Sequence, residues 1–248
     1  MIFLSIINHK HDHLIVSNPT LPILAQGNVI IIKSNTAASQ PLKNFASEHG
    51  IILLDEKYGM GFGENNNYVF EYLCNNKIIT NNDFFLVINP DVIISNEELT
   101  KLQDEINTIN SDIYTINLFY DKNFLKPELS VRKFPTFFGP LKGLLNKDYR
   151  SDAYDKSKIS QATNVEWAAG SFLLFKKQAY EFLGGFDKRF FMYFEDVDIC
   201  RRAKKKGMLL TYLPNIKAIH KGAFNNRKIY SRHFYWYLMS YFIYHLKN

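Results

Sequence analysis

Phe190-Phe191-Met192-Tyr193-Phe194-Glu195-Asp196-Val197-Asp198-Ile199-Cys200-Arg201-Arg202 is the stretch around which the 248-residue chain is organised. An aromatic run stops at three carboxylates within four positions, and a basic segment follows. Glu195, Asp196 and Asp198 fall in the first turn of the helix this pattern predicts, where the positive end of the macrodipole favours anions. Arg201, Arg202, Lys204, Lys205 and Lys206 fill its later turns, and Gly207 marks its stop. A carboxylate fixed there, partly desolvated by an aromatic wall and facing a cleft, is what a general base needs. The same acids would serve equally well as a helix cap paired with Arg201 and Arg202, so the choice rests on the rest of the chain.

Upstream, four nearly continuous apolar runs read as buried strands: Ile2 to Ile7, Asn28 to Asn35, Ile51 to Asp55, and Asp83 to Asp91. Helical or mixed stretches separate them at about 12–24, 38–48 and 64–76, although Pro19 and Pro22 weaken the first. This alternation predicts an α/β fold with a mostly parallel central sheet covered by helices on both faces. In such sheets ligands bind beyond the C-terminal strand ends, where Asn8, Ser34, Asn35, Asp55 and Asp91 fall.

Residues 96–110 read as a helix with Asn96 as its N-cap. Asp112 to Tyr120 reads as a strand, 121–163 as an irregular and mobile excursion, and Val165 to Phe175 as one strand carrying small residues. A short helix ends at Gly184-Gly185, and two short strands, Leu209 to Leu213 and Ile216 to Ile219, deliver His220. The tail from Ile229 to Leu246 is an aromatic helix flanked by Arg232 and Lys247, a composition suited to a bilayer interface or to packing on the domain. These elements predict a domain over 1–225 in two halves, 1–95 and 96–225, followed by a C-terminal amphipathic helix at 226–248.

The net charge of +6 is concentrated late in the chain: between Lys188 and Arg232 twelve Lys and Arg face three acids. Such a face suits phosphates, whether of a nucleotide, a nucleic acid or an anionic membrane. Cys74 and Cys200 form neither a disulfide framework nor a metal-spaced set, so a reducing cytosol is expected. No apolar run reaches the ~18 residues of a spanning helix, and the start lacks the pattern of a signal peptide.

Individual signals are weak alone. Asn89-Pro90-Asp91 closes a strand, and a carboxylate on that scaffold suits a divalent metal on a diphosphate. Gly59, Gly61 and Gly63 do not have dinucleotide-fingerprint spacing and follow the third strand rather than the first. They read instead as a glycine loop feeding Asn65-Asn66-Asn67, whose amides suit a sugar or base. His9, His11 and His13 read as a polar surface loop, whereas His220 falls where it can enter the cleft of Asp196.

Together these residues resemble a known family. Phe191 to Asp198, preceded by Gly184-Gly185-Phe186-Asp187, resembles the acidic signature of the family 2 GT-A glycosyltransferases, and within it the chain is most similar to bacterial rhamnosyltransferases of O-antigen and cell-wall polysaccharide assembly. Gly61-Phe62-Gly63, Asn89-Pro90-Asp91, Val131 to Pro135, Trp167 to Ser171 and Ala218-Ile219-His220 match in family order across roughly residues 2–225. The resemblance implies a GT-A, Rossmann-like fold, with 1–95 as its nucleotide-sugar half and 96–225 as its acceptor half, and inverting transfer from a nucleotide sugar. Asp196 would be the catalytic base and Glu195 its partner. Asn8, Ser34, Asn35, Gly61, Gly63, Asn66, Asn67, Asn89 and Asp91 would hold the donor, with Asp91 and His220 on Mg²⁺ or Mn²⁺. Arg132, Lys133, Trp167 and Gly170 would meet the acceptor or a diphosphate.

The implied reaction moves L-rhamnose from dTDP-rhamnose to a polyprenyl-diphosphate-linked saccharide, by a cytoplasmic enzyme peripheral to the inner-membrane face and without a nucleic-acid partner. Galactofuranose, glucose or N-acetylglucosamine from UDP is the alternative, and a non-catalytic phosphate- or nucleic-acid-binding module a remote one. Two positions depart from the family pattern: Asn89 replaces the first acid of the metal motif, and Ser34 stands where relatives often carry an Asp that reads the base.

Overall fold

Ile2–Asn8 (β1) is buried at every position, which requires cover on both faces of the sheet it joins. A computed structural model, describing residues 1–137, 152–222 and 231–247, shows that cover. Val29–Ser34 (β2) and Phe84–Ile88 (β4) flank β1 in parallel, and Ile52–Leu54 (β3) extends β2. Phe172–Lys176 (β10) then runs antiparallel between β4 and Ile113–Phe119 (β6), and Leu210–His220 (β11) pairs parallel with β6. Val92–Ile93 (β5) and Thr163–Asn164 (β8) pair antiparallel with β11. The order among the described residues is β3-β2-β1-β4-β10-β6-β11-β5. Six of these nine strands, β1 to β4, β6 and β11, share one direction, so the sheet is mostly parallel, as expected. Val131–Arg132 (β7) and Trp167–Ala168 (β9) form a separate two-stranded ribbon.

Alternation along the strands sorts the core into two layers. Ile2, Leu4 and Ile6 pack with Ile15 of Asp12–Val16 (α1), Leu21 of Leu21–Leu24 (α2), Phe45 of Gln40–Glu48 (α3) and Leu102 of Asn96–Thr108 (α5). Phe3 and Ile7 face the other way, with Phe70 of Phe62–Asn75 (α4), Tyr180 of Lys177–Leu183 (α6) and Ile199 of Glu195–Lys205 (α7). A third, smaller cluster of Phe190, Phe194, Val197 and Tyr244 seats the C-terminal helix, Arg232–Lys247 (α8).

Four expectations change in detail. The stretch 12–24 breaks into α1 and α2, with Pro22 in the first turn of α2, where its missing N–H costs nothing. The N-cap of α5 is Ser95 rather than Asn96: its hydroxyl accepts from Glu98 N at 3.2 Å, so the cap lies one residue earlier. The strand expected over 165–175 is two, because the chain turns a corner at Ala169-Gly170-Ser171 between β9 and β10. The two short strands after Leu209 are instead one, β11, whose pairing with β6 shifts between Leu213 and Lys217, around Pro214. The 121–163 excursion contains β7 and β8; its residues 138–151, the domain boundary at 225/226, and Ile229 and Tyr230 of the tail lie outside the described residues.

Candidate active site

The chemistry-bearing residues gather at one end of the sheet, linked by short contacts. At the β1 end, Asn8 donates to Ser34 Oγ and to Asp12 Oδ1, both at 2.8 Å, and its carbonyl accepts from Asn35 N. Asn35 exchanges side-chain hydrogen bonds with the backbone of Met60. Gly61 then caps α4 and lies against the loop ahead of α7: Phe62 N donates to the carbonyl of Phe191 at 2.9 Å, and a Cβ on Gly61 would sit 2.5 Å from that oxygen. No other residue type permits this approach.

The loop that begins at Phe191 ends in two consecutive left-handed residues, Tyr193 (φ 69°) and Phe194 (φ 64°), each costing roughly 1–2 kcal/mol for an L-residue. They swing the chain so that Glu195 and Asp196 open α7 at its N-terminus. Asp196 is half-buried and accepts from Gly170 N at 3.0 Å and from Val197 N at 2.8 Å. Burial raises its pKa, while those two N–H groups and the charge of Arg132 oppose the rise. Glu195 is buried, its Oε2 has no hydrogen-bond partner, and burial together with the Asp196 carboxylate holds its pKa well above the usual range. Burial thus favours the protonated form of Glu195 more strongly than that of Asp196, whose two N–H donors favour its charged form. Asp198, by contrast, is saturated by Arg202 at 2.7 Å and Lys247 at 2.8 Å.

The corner Gly170-Ser171 joins this acid to the metal-motif end, for Ser171 accepts from Asn89 N at 3.1 Å. The pairing of β5 with β11 sets Val92 opposite His220. His220 Nε2 therefore lies 3.3 Å from Asp91 Oδ1 and 3.4 Å from Asn89 Nδ2. Burial alone would lower the His220 pKa; Asp91 and Glu128 outweigh it and push it up to about 10. Glu128, 2.9 Å from His220 Nδ1, was not singled out by sequence reasoning, because it lies in an irregular connection with no motif around it. Among the described residues no group of three or more His, Cys, Asp or Glu encloses a metal by itself. A divalent cation would have to displace the proton that Asp91 and Glu128 hold on His220; the freed Nε2, the Asp91 carboxylate and the Asn89 amide oxygen, with oxygens from substrate phosphates, then make a set that suits Mn²⁺ better than the oxygen-seeking Mg²⁺.

Of the residues expected at the acceptor, Arg132 pairs with Asp152 and lies 5.9 Å from the Trp167 ring, while Trp167 Nε1 donates to the carbonyl of the exposed Lys133 at 2.8 Å. Three residues expected at the donor are placed otherwise. Asn66 is enclosed by Ser5 Oγ (2.7 Å) and the Phe62 carbonyl. Asn67 is enclosed by Tyr180 Oη and the Phe186 backbone, and the backbone of Gly185 passes where a Cβ would lie 2.3 Å from its oxygen. Gly63 packs on Phe186. Their amides and backbone latch the loop against the core and are not turned to the crevice. Sequence reading also passed over Lys33, an ammonium buried in β2 that donates to the carbonyls of Ser34 (2.7 Å) and Glu56 (2.5 Å), pinning the loop after β3; a charge inside an apolar strand was the available signal. A groove of about 640 Å³ is lined by Lys10, Asp12, Thr36 and Ser39, among which Asp12 accepts from Asn8.

No family model matches the chain. Among solved structures it resembles S. aureus TarS 1-349 in complex with UDP-GlcNAc (TM-score 0.58, 13% identity, 93% of this chain and 62% of that one) and GalNAc-T7 with UDP, GalNAc and Mn²⁺ (TM-score 0.61, 12% identity, 93% and 46%), which defines the fold as GT-A. In sequence it is 30% identical to rhamnosyltransferase WbbL of Escherichia coli K12 over 98% of this chain and 92% of that protein. A 72-residue stretch, 29% of this chain and 24% of the relative, is 40% identical to the N-acetylglucosaminyl-diphospho-decaprenol L-rhamnosyltransferase of Mycobacterium tuberculosis. The chain belongs to the GT-A glycosyltransferases related to bacterial rhamnosyltransferases, and it is a hexosyltransferase.

Proposed function

We propose that the enzyme transfers L-rhamnose from dTDP-rhamnose, with inversion, to a hydroxyl of a saccharide carried on a polyprenyl diphosphate. The observation that carries this reading is the chain of contacts from Asn8 through Asn35, Gly61 and the Phe191 loop to Asp196, and on through Gly170 and Ser171 to Asn89 and His220. In this reading it borders one crevice, with a base at one side and diphosphate-binding groups at the other.

In that crevice Asp196 Oδ takes the proton of the acceptor hydroxyl as its oxygen attacks the anomeric carbon, while the bond to the donor diphosphate breaks on the opposite face. Protonated Glu195 adds no second charge beside the base. Asp91, His220 and Asn89 would hold the divalent cation, which when bound offsets the charge gathering on the leaving diphosphate. Asn8, Ser34 and Asn35 are buried and bonded to Asp12, to one another and to Met60, so they would shape the strand ends at which the nucleotide lies rather than bond it through their side chains. Arg132 and Trp167 meet the acceptor. The WbbL and mycobacterial relatives favour rhamnose and a diphospho-polyprenol acceptor.

The acceptor's lipid places the reaction at a membrane, and α8 offers the contact: Tyr235, Leu238, Met239, Phe242 and Leu246, spaced along one helical face, are all exposed. Among the described residues no helix is long and apolar enough to cross a bilayer, so this contact is peripheral. The test is transfer to a synthetic prenyl-diphosphate-linked N-acetylglucosamine from dTDP-rhamnose, UDP-galactofuranose, UDP-glucose and UDP-N-acetylglucosamine, read by product mass. A rhamnosylated product from the dTDP donor alone is expected, and Asp196→Asn should lower kcat by ~10²–10⁴-fold while donor binding persists. Preferential turnover of a UDP donor would replace the sugar assignment.

A further inference from the structure

The inner face of α8 grips the catalytic loop residue by residue. Trp236 stacks on Phe191 with ring centroids 4.7 Å apart, and Ser240 Oγ donates to the Met192 carbonyl at 2.8 Å. Tyr193 Oη lies 3.0 Å from His233 Nδ1, and Phe194 sits 5.4 Å from the Tyr237 ring. At the far end, Lys247 Nζ bridges Asp198 Oδ1 (2.8 Å), inside α7, and Asp187 Oδ2 (2.6 Å), ahead of the loop.

Two of these contacts, from His233 and Tyr237, fall on the left-handed residues that immediately precede Glu195, and the others hold the segments on either side. Backbone held in that region persists only where its surroundings over-determine it. Gly61 and Phe62 hold the Phe191 carbonyl, and Phe190 and Val197 pack with Phe194; the remaining contacts on Phe191 to Phe194 described above come from α8. Were Phe194 to relax to a right-handed conformation, the first turn of α7 would re-aim and Asp196 would leave Gly170.

We infer that α8 is the positioning element of the catalytic base, with His233 holding the Tyr193–Phe194 turn and Lys247 tying the first turn of α7 to Asp187 ahead of the loop, so that Asp196 faces the acceptor hydroxyl. The inference rests on the assignment of Asp196 as that base. Neither Lys247 nor His233 touches substrate in this reading; His233 acts through the turn and Lys247 through the start of α7.

The test uses the full chain carrying Lys247→Met, which keeps the apolar stem and drops the charge, and separately Tyr193→Phe, which removes only the hydroxyl facing His233. For each, kcat per donor-binding site is measured beside donor Kd. The expected result is a kcat about 10-fold or more lower, since a shift near 1 Å can cost 10²-fold. Donor Kd should stay within twofold, Lys247→Arg should restore most of the rate, and the acid limb of the kcat–pH profile should move as the base's burial changes. A kcat per binding site within twofold of wild type in both variants overturns the inference, as does a loss of donor affinity parallel to the loss of rate. Asp196→Asn, run alongside, separates the two failures: if it leaves kcat intact the base assignment falls and the inference with it, whereas a collapsed Asp196→Asn beside fully active Lys247→Met and Tyr193→Phe removes only the role of α8.

Discussion

At the residue scale, the paired acids were legible but their division of labour was not. Three carboxylates at a helix start can be read from sequence; which is saturated, which is buried and which is poised depends on contacts from distant segments. Gly170 N reaches Asp196 from 26 residues away and Lys247 reaches Asp198 from 49. The buried Glu195 has a consequence for stability. An unfolded Glu loses its proton near pH 4.5, whereas the folded one keeps it to higher pH, so between those values the folded state binds more protons and stability falls as pH rises. Glu195→Gln removes that slope. In parallel melts, wild type should lose ground steadily to the variant from about pH 4.5 upward, and a pH-independent difference in Tm would contradict a proton held on Glu195. Glu128 allows a second test. A carboxylate on the far nitrogen of a metal-binding imidazole fixes its tautomer, and its loss typically costs 10–100-fold in metal affinity. Glu128→Ala should therefore weaken Mn²⁺ binding by about that factor in calorimetry with donor diphosphate present, and chelation should silence the wild type.

At the element scale, the strands were legible because each is a short apolar run ending in polar residues, and a covered parallel sheet leaves them little other use. What escaped was the corner at Ala169-Gly170-Ser171. Small residues in an apolar run read as a continuous strand, because nothing local shows that β9 must pair with β7 and β10 with β4 and β6. The asparagine run on α4 misled for a related reason: its residue types fit a sugar, yet Asn66 and Asn67 spend their hydrogen bonds on Ser5, Tyr180 and Phe186. The close packing of α4 on the catalytic loop is open to test. In Gly61→Ala the new methyl meets a backbone oxygen, which cannot rotate away as a side chain would, so the loop must shift. Overpacking of this kind costs about 1–3 kcal/mol. The variant should unfold at lower denaturant by that amount and lose more activity than the stability loss alone explains, since the displaced segment leads directly to Asp196.

At the scale of the whole molecule, α8 has two faces with different partners. The inner face carries Tyr244, fully buried, together with Ser240; the outer face carries Tyr235, Leu238, Met239, Phe242 and Leu246 to solvent, with Leu246 81% exposed. An aromatic and aliphatic stripe of that length is more than the scatter of single apolar residues found on any surface. On the proposed reading, a helix of 16 residues with such a stripe would lie in a bilayer interface rather than through it. The basic residues late in the chain would add attraction to anionic headgroups, each nearby cation contributing roughly 1 kcal/mol, and this attraction would weaken with salt. Leu238→Glu with Phe242→Glu should leave the fold and donor Kd unchanged, because neither side chain packs inward. It should strongly reduce sedimentation with vesicles of phosphatidylglycerol and phosphatidylethanolamine. The same pair should slow transfer to a long-chain acceptor embedded in those vesicles and spare transfer to a short, soluble one. Equal loss on both acceptors would mean that the stripe serves the enzyme internally and that the lipid-linked acceptor is reached by another surface.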